Sequence, residues 1–335
     1  MLIKIVKIII ILIVIVLLLM LIFFSFSPYL GVQITKKIMS GNVMSYPENY
    51  ENYAKQVEVI QDITYTSNYQ KNTFDLYRPK ATKQNKLSTI VWVHGGGYVG
   101  GDKTDLINFA TILATYGYAV VALNYDLVPD SVYPEPLKQV SQCITYLRAI
   151  QTEYHLDMEN VILAGDSAGA QIAAQYALIQ TNLEYATEIA IAPTLAKNSI
   201  KAMLLYCGPY DIENLVSPDQ SIIANQLFSK VGWEYLQDKN WQTSNKAKEA
   251  TIINHITGDF PPAYITDGNT LTFPQHGQKL VAVLEEKQVK VMSRFFPNNS
   301  EKVWHEYQFM LAKPEGQLAL VDTIKFLEEI IKGES

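Results

Sequence analysis

The sequence predicts an α/β protein in which a mostly parallel central sheet is flanked by helices. Short apolar runs, typical of strands buried on both faces, alternate with longer segments of helical character. Two glycine-rich motifs, at residues 94–97 and 165–169, each follow such a run directly. This order is typical of right-handed strand–helix–strand units. Such sheets bind ligands beyond the carboxyl ends of their strands, where both motifs fall.

The predicted elements succeed one another from residue 57 to the C-terminus. Strands are predicted at 57–65, 73–77, 88–93, 119–124, up to Ala164, at 202–206, 263–266 and 290–296. Helices are predicted at 106–116, 135–152, after Ser167, at 273–287 and 316–331. Residues 208–256 hold no obvious strand and are interpreted as an insertion or lid. Its aromatic side chains fit either a substrate pocket or packing onto the body: Phe228, Trp233, Tyr235 and Trp241.

A membrane segment is predicted near the N-terminus. Residues 8–24 form an uninterrupted apolar run of 17 residues. As a helix this run is ~25 Å long, and about 30 Å with its flanks, which is enough to span the hydrocarbon core. We therefore predict an anchor over residues 1–30, followed by a juxtamembrane segment at 31–56. The alternative is a signal peptide cleaved after residues 25–27.

The flanking charges predict how this segment is oriented. Lys4 and Lys7 precede it, which favours an inside N-terminus and an extracytoplasmic domain in a single-pass membrane protein. Lys36 and Lys37 follow on the far side and weaken this bias.

Bulk composition excludes some partners. The formal net charge is −6, and no dense cluster of Lys and Arg is present, which argues against nucleic acid. The two cysteines, Cys143 and Cys207, lie in apolar patterns and are predicted as core residues rather than a disulfide. No metal-ligand spacing is visible, so no cofactor is expected. The oligomeric state is left open.

The sharpest motif is Gly165-Asp166-Ser167-Ala168-Gly169, at the end of an apolar run and before an alanine-rich segment. This G-x-S-x-G pattern predicts a strand, a strained turn that exposes a serine hydroxyl, and a helix. Side chains at Gly165 and Gly169 would collide with neighbouring backbone. The helix would aim its first amides at the hydroxyl, where negative charge develops during acyl transfer. A purely structural turn is the alternative.

The second motif is His94-Gly95-Gly96-Gly97, directly after a predicted buried strand. Successive glycines let backbone amides face a ligand without intervening side chains, and such amides can hold an oxyanion. A phosphate-binding loop is the alternative, but no G-K-[ST] sequence follows.

Together, H-G-G-G and G-D-S-A-G resemble the hormone-sensitive-lipase-like esterases of the α/β-hydrolase superfamily. The resemblance extends from about Val57 to the C-terminus, so residues 57–335 are expected to form an α/β-hydrolase catalytic domain. It implies that Ser167 is the nucleophile and that the amides of Gly96, Gly97 and Ala168 form the oxyanion hole. His94 would brace the glycine loop.

A serine hydroxyl needs a base within hydrogen-bond reach. Of five histidines, His305 lies after the last predicted strand and before the last helix, in a loop that resembles the family's catalytic histidine loop. The order serine, acid, histidine also fits this class of hydrolase.

The acid is less clearly marked. Asp267 follows the predicted strand at 263–266, but the family's aspartate usually comes a few residues later, where this chain has Leu271. We predict Asp267 as the acid, with a mere turn former as its alternative. Asp211, after the preceding strand, is the second candidate, and the absence of any acid is the third possibility.

These observations predict a membrane-anchored serine hydrolase, a carboxylesterase for small or medium acyl esters that requires no cofactor. An amidase or arylformamidase and a lipase are alternatives on the same fold. An anchored binding protein without catalysis is the alternative from another class, and the shifted acid is its best support.

Overall fold

One sheet of eight strands organises the chain. The computed structural model describes residues 2–39, 44–81, 86–217, 221–297 and 301–333. The strands lie in the order β1-β2-β4-β3-β5-β6-β7-β8. Strand β2 pairs antiparallel with β1 and β4, and every other pair is parallel. Their bounds are β1 Val57–Thr64, β2 Thr73–Pro79, β3 Leu87–Val93, β4 Ala119–Leu123, β5 Leu156–Asp166, β6 Ile200–Tyr206, β7 Ala263–Asp267 and β8 Val291–Phe295.

Helices cover both faces of this sheet, because successive strand residues point to opposite sides. In β3, Val91 and Val93 pack in the apolar cluster that contains α5, α6 and α10, whereas Ile90 and Trp92 join α4 and α11 on the other face. The α-helices are α1 Leu2–Phe26, α2 Tyr29–Met39, α3 Tyr50–Ala54, α4 Ile107–Thr115, α5 Glu135–Tyr154, α6 Ala168–Thr181, α7 Leu183–Glu188, α8 Ile222–Leu236, α9 Asn245–Ala250, α10 Pro274–Glu286 and α11 Pro314–Leu327.

The predicted fold class is confirmed, and all eight predicted strands form. The described part of residues 208–256 contains no strand, and its main elements are α8 and α9. Both cysteines are buried free thiols, Cys143 within α5 and Cys207 directly after β6.

The N-terminal segment has two parts. Residues Ile3–Phe26 form a helix long and apolar enough to cross a membrane. Its most apolar stretch has a mean hydropathy of 3.6 and no buried residue among those described. Such a helix near the N-terminus is also compatible with a signal sequence. After it, α2 packs on α8, and Gly31 and Val32 are buried. Within the segment predicted as juxtamembrane, the part that forms α2 therefore packs on the globular body.

Two lysines connect α1 with the insertion. The Lys230 ammonium lies 4.7 Å from the Phe24 ring centre and 4.9 Å from that of Trp233. Lys239 lies 5.5 Å from the Phe26 ring centre. These distances are within the range of cation–π contacts.

Candidate active site

Ser167 occupies a strained turn between β5 and α6. Its φ and ψ are 49° and −122°, in a region that side chains rarely adopt. A Cβ on Gly169 would lie 2.1 Å from the Val93 carbonyl oxygen, so only glycine allows α6 to approach β3 this closely. The serine side chain is thus held at the carboxyl edge of the sheet, as the G-x-S-x-G pattern predicts.

His305 lies within hydrogen-bond reach of this serine. Its loop follows β8, and its Nε2 atom is 2.9 Å from Ser167 Oγ. Burial lowers the pKa of His305 to about 4, so the imidazole is neutral at pH 7. A neutral imidazole with an unprotonated Nε2 accepts the serine proton, which is the role of a general base.

Asp267 ends β7 and is almost fully buried. Its Oδ1 accepts the Gly268 amide at 2.7 Å, and its Oδ2 accepts the Phe273 amide at 3.0 Å. Burial raises the pKa of this carboxyl to about 7, although the Thr272 hydroxyl and these amides favour its ionised form. The carboxylate makes no direct hydrogen bond with His305.

Thr272 lies between the acid and the histidine. Its Oγ1 is 2.7 Å from His305 Nδ1 and also hydrogen-bonds Asp267 Oδ1. No sequence pattern marks this threonine, because only the folded loop brings a residue five positions after Asp267 back to its carboxylate. Leu271, at the position where the resembled family carries its aspartate, is 72% exposed.

The second candidate acid is engaged elsewhere. Asp211 Oδ2 forms an ion pair with Lys279 Nζ at 2.7 Å, and its oxygens accept the Asn214 amide at 2.9 and 3.0 Å. Its own amide donates to His276 Nδ1 at 3.2 Å. The Lys279 and Asn214 hydrogen bonds lower the pKa of Asp211 against the effect of burial. The structure brings Asp267, and not Asp211, to His305.

The glycine loop lies beside the nucleophile turn. Gly96 has a φ of 103°, and a Cβ there would lie 2.2 Å from the Gly100 carbonyl oxygen, so this turn requires glycine. The amides of Val99 and Gly100 both donate to the Gly96 carbonyl, at 3.1 and 2.9 Å. Within the described residues, the predicted oxyanion-hole amides, those of Gly96, Gly97 and Ala168, donate to no protein group. They are therefore free to bind an oxyanion.

Buried polar contacts fix this loop. Asp166 accepts the Gly95 amide at 2.8 Å and the Trp92 indole N–H at 2.7 Å, and it shares a hydrogen bond with Glu306. Sequence reasoning selected Asp166 as part of its motif but missed Trp92 and Glu306, which come from other loops and strands. Asp166 therefore connects the glycine loop with the histidine loop.

His94 lies inside this framework. Its Nδ1 is 2.7 Å from the Gly95 carbonyl oxygen, and its ring stacks on Tyr125 at 4.5 Å. Burial lowers the pKa of His94 to about 4. These contacts agree with a bracing task for His94.

One group of potential metal ligands occurs among the described residues. Cys207, Asp267 and His305 offer atoms within 4.8 Å of one another. Two of the three belong to the hydrogen-bonded site above, and burial raises the pKa of the Cys207 thiol well above its usual range, against the thiolate that metals prefer.

The insertion supplies aromatic side chains to the site and to its own packing. Phe228 of α8 lies 5.5 Å from Phe273, whose ring is 5.6 Å from that of His305. Tyr235 stacks on Tyr98 of the glycine loop at 4.1 Å. Trp241 is buried and donates its indole N–H to the Ser229 carbonyl at 3.0 Å. Packing is therefore confirmed for Tyr235 and Trp241, whereas a substrate pocket at Phe228 stays a prediction.

Comparison with known proteins gives consistent matches. The family model described as BD-FAE matches residues 74–280, more than half of the chain. The acetyl esterase of Salmonella paratyphi A is 25% identical over 266 residues, which cover 76% of this chain and 75% of that protein. Esterase B from Lactobacillus rhamnosis superposes with a TM-score of 0.72 at 20% identity and covers 87% of this chain and 89% of its own. A Rhizomucor miehei esterase superposes at 0.65 with 19% identity.

The fold, the serine turn and these relatives define a carboxylic ester hydrolase of the α/β-hydrolase class. The chain belongs to the BD-FAE family.

Proposed function

We propose that this protein hydrolyses esters of small or medium acyl groups through a covalent acyl-enzyme. The observation that carries the proposal is the 2.9 Å contact between Ser167 Oγ and His305 Nε2, beside three unpaired amides. Asp267 is the proposed acid. The acetyl esterase relative and the tributyrin phosphonate bound to esterase B from Lactobacillus rhamnosis support short acyl chains.

The residues act in two half-reactions. Ser167 Oγ attacks the ester carbonyl carbon while its proton passes to His305 Nε2. The amides of Gly96, Gly97 and Ala168 stabilise the oxyanion, and the imidazolium returns the proton to the leaving alcohol. Water then attacks the acyl-enzyme with His305 again as the base, which releases the acid and restores Ser167.

We further propose that α1 anchors the enzyme in the cell membrane, with the catalytic body outside the cytoplasm. The apolar helix, the lysines in its first two turns and its cation–π contacts with Lys230 and Lys239 support this arrangement.

The test uses the full chain in detergent. Wild type should turn over nitrophenyl esters and react with a fluorophosphonate at Ser167, with rates that fall as the acyl chain lengthens. Ser167→Ala should lose both, with a decrease in kcat on the order of 10⁶-fold. An aryl formamide assayed in parallel separates esterase from formamidase specificity. Near-normal turnover by Ser167→Ala would disprove the mechanism.

A further inference from the structure

In a direct triad the acid hydrogen-bonds the histidine itself. Here the hydroxyl of Thr272 lies between the two. Ser167 Oγ meets His305 Nε2 at 2.9 Å, and His305 Nδ1 meets Thr272 Oγ1 at 2.7 Å. The Thr272 hydroxyl in turn bonds Asp267 Oδ1. Between the described Asp267 and His305 side chains there is no direct hydrogen bond or ion pair. The acid contacts the histidine through Thr272.

The single hydrogen of the Thr272 hydroxyl sets the direction of this chain. An ionised Asp267 can only accept, so Thr272 donates to it and accepts from the N–H at His305 Nδ1. The Nε2 atom is then unprotonated and accepts the proton of Ser167. If Asp267 carries a proton, the chain can reverse: Thr272 donates to Nδ1, and Nε2 holds the proton. That tautomer cannot serve as the base.

We propose that Thr272 is a positioning residue of this hydrolase, whose hydroxyl transmits the charge of Asp267 to His305 and selects the reactive tautomer. This inference rests on the proposed serine-hydrolase function. No bond is made or broken at Thr272, and only its hydrogen bonds strengthen when His305 becomes an imidazolium. Its β-branched side chain has few χ1 rotamers, which helps hold Oγ1 between its two partners.

The arrangement makes activity sensitive to the protonation of Asp267. Burial raises the pKa of this carboxyl to about 7, whereas that of His305 is lowered to about 4. The decrease of kcat/KM at acid pH should therefore follow the protonation of Asp267. Four other titratable groups, in the segments after β6 and β8, face Asp267. Burial raises the pKa of each and so favours its neutral form: Cys207, Tyr210, Glu306 and Tyr307.

The test compares two variants of the full-length enzyme. Thr272→Val keeps the shape but removes the hydroxyl, and we expect kcat to fall about 10- to 100-fold with little change in KM. Thr272→Ser keeps the hydroxyl and should stay within about threefold of wild type. The acid limb of the pH profile should move in Thr272→Val and stay in place in Thr272→Ser. A merely structural role would lower activity without moving the limb.

A double variant tests whether Asp267 acts through Thr272. Adding Thr272→Val to Asp267→Asn should cost less than about threefold beyond the larger single loss, because both remove the same interaction. Losses that multiply would overturn the proposal. Near-normal kcat in Thr272→Val would overturn it as well and would indicate a direct contact of Asp267 with His305. Turnover that survives Ser167→Ala would instead remove the proposed function itself.

Discussion

At the scale of single residues, two carboxyl groups lie together beside the nucleophile, Asp166 buried and Glu306 partly buried. Asp166 and Glu306 hydrogen-bond each other although both are acids, so one of them must carry a proton. Burial raises the pKa of both, and their mutual repulsion adds to the effect on Glu306. Asp166 accepts the Gly95 amide, and Glu306 directly follows His305, so the pair connects the glycine loop with the histidine loop. The proton that the two carboxyl groups share is part of the folded structure.

This pair predicts that stability falls as pH rises. The folded state binds more protons than the unfolded chain above about pH 4.5, so the free energy of unfolding decreases as pH rises towards the folded-state pKa values. Glu306→Gln imitates the protonated acid and removes one titratable group from the pair. Its unfolding temperature should decrease less between pH 5 and 8 than that of wild type, as measured by circular dichroism.

A surface substitution provides the control. Glu285→Gln, on the exposed face of α10, should preserve the wild-type slope. Equal slopes in wild type and Glu306→Gln would show that the pair does not share a proton.

The two candidate acids also differ at this scale. Asp267→Asn should lower kcat by about 10²–10⁴-fold, because Thr272 loses the charged acceptor through which it orients the imidazole. Asp211→Asn should stay within about threefold, since it loses only an ion pair with the half-exposed Lys279. Steady-state kinetics on a short nitrophenyl ester measures both. A hundredfold decrease in a folded Asp211→Asn, with Asp267→Asn near normal, would reverse the assignment.

At the scale of elements, α2 and α8 depend on each other. Gly31 of α2 lies against Lys230 of α8, so close that a Cβ would be 2.6 Å from the lysine Cβ. Val32 is 1% exposed and belongs to the main apolar cluster. Helix α2 thus packs as part of the catalytic body.

Truncation should reveal this dependence. A chain that begins at Ser27 keeps α2, whereas one that begins at Met44 loses it and exposes the surface of α8. Burial of one valine side chain contributes ~1.5–3 kcal/mol, and each kcal/mol corresponds to about 2–4 °C in Tm. The shorter chain should therefore unfold about 3–12 °C lower in a thermal melt. Identical melting temperatures would show that α2 does not stabilise the body.

The elements differ in how well the sequence predicts them. β5, the serine turn and α6 were predictable because their apolar run, glycines and alanines are local signals. The antiparallel pairing of β2 with β4 and the packing of α2 on α8 depend on partners distant in sequence. Thr272 and Glu306 were missed for the same reason: each acts through a loop whose path is set by the fold, and neither belongs to a motif with a fixed spacing.

At the scale of the whole molecule, the anchored orientation makes a topological prediction. With an inside N-terminus, protease added to intact cells should digest the catalytic body, while a reporter fused before Lys4 should stay protected. Immunoblotting of both ends measures this. Protection of the body until lysis would place the enzyme on the cytoplasmic side, and recovery of a chain lacking residues 1–27 from the medium would indicate cleavage.

The apolar helix α1 ends at Phe26 and α2 begins at Tyr29, so only Ser27 and Pro28 separate the proposed anchor from the catalytic body. Two residues reach ~7 Å when fully extended, about the thickness of one headgroup layer. In the proposed orientation the enzyme can diffuse laterally but cannot extend towards distant polymers. Its rate on any ester would then depend on the number of substrate molecules per unit area of bilayer, and dilution with inert lipid would slow it at constant bulk concentration.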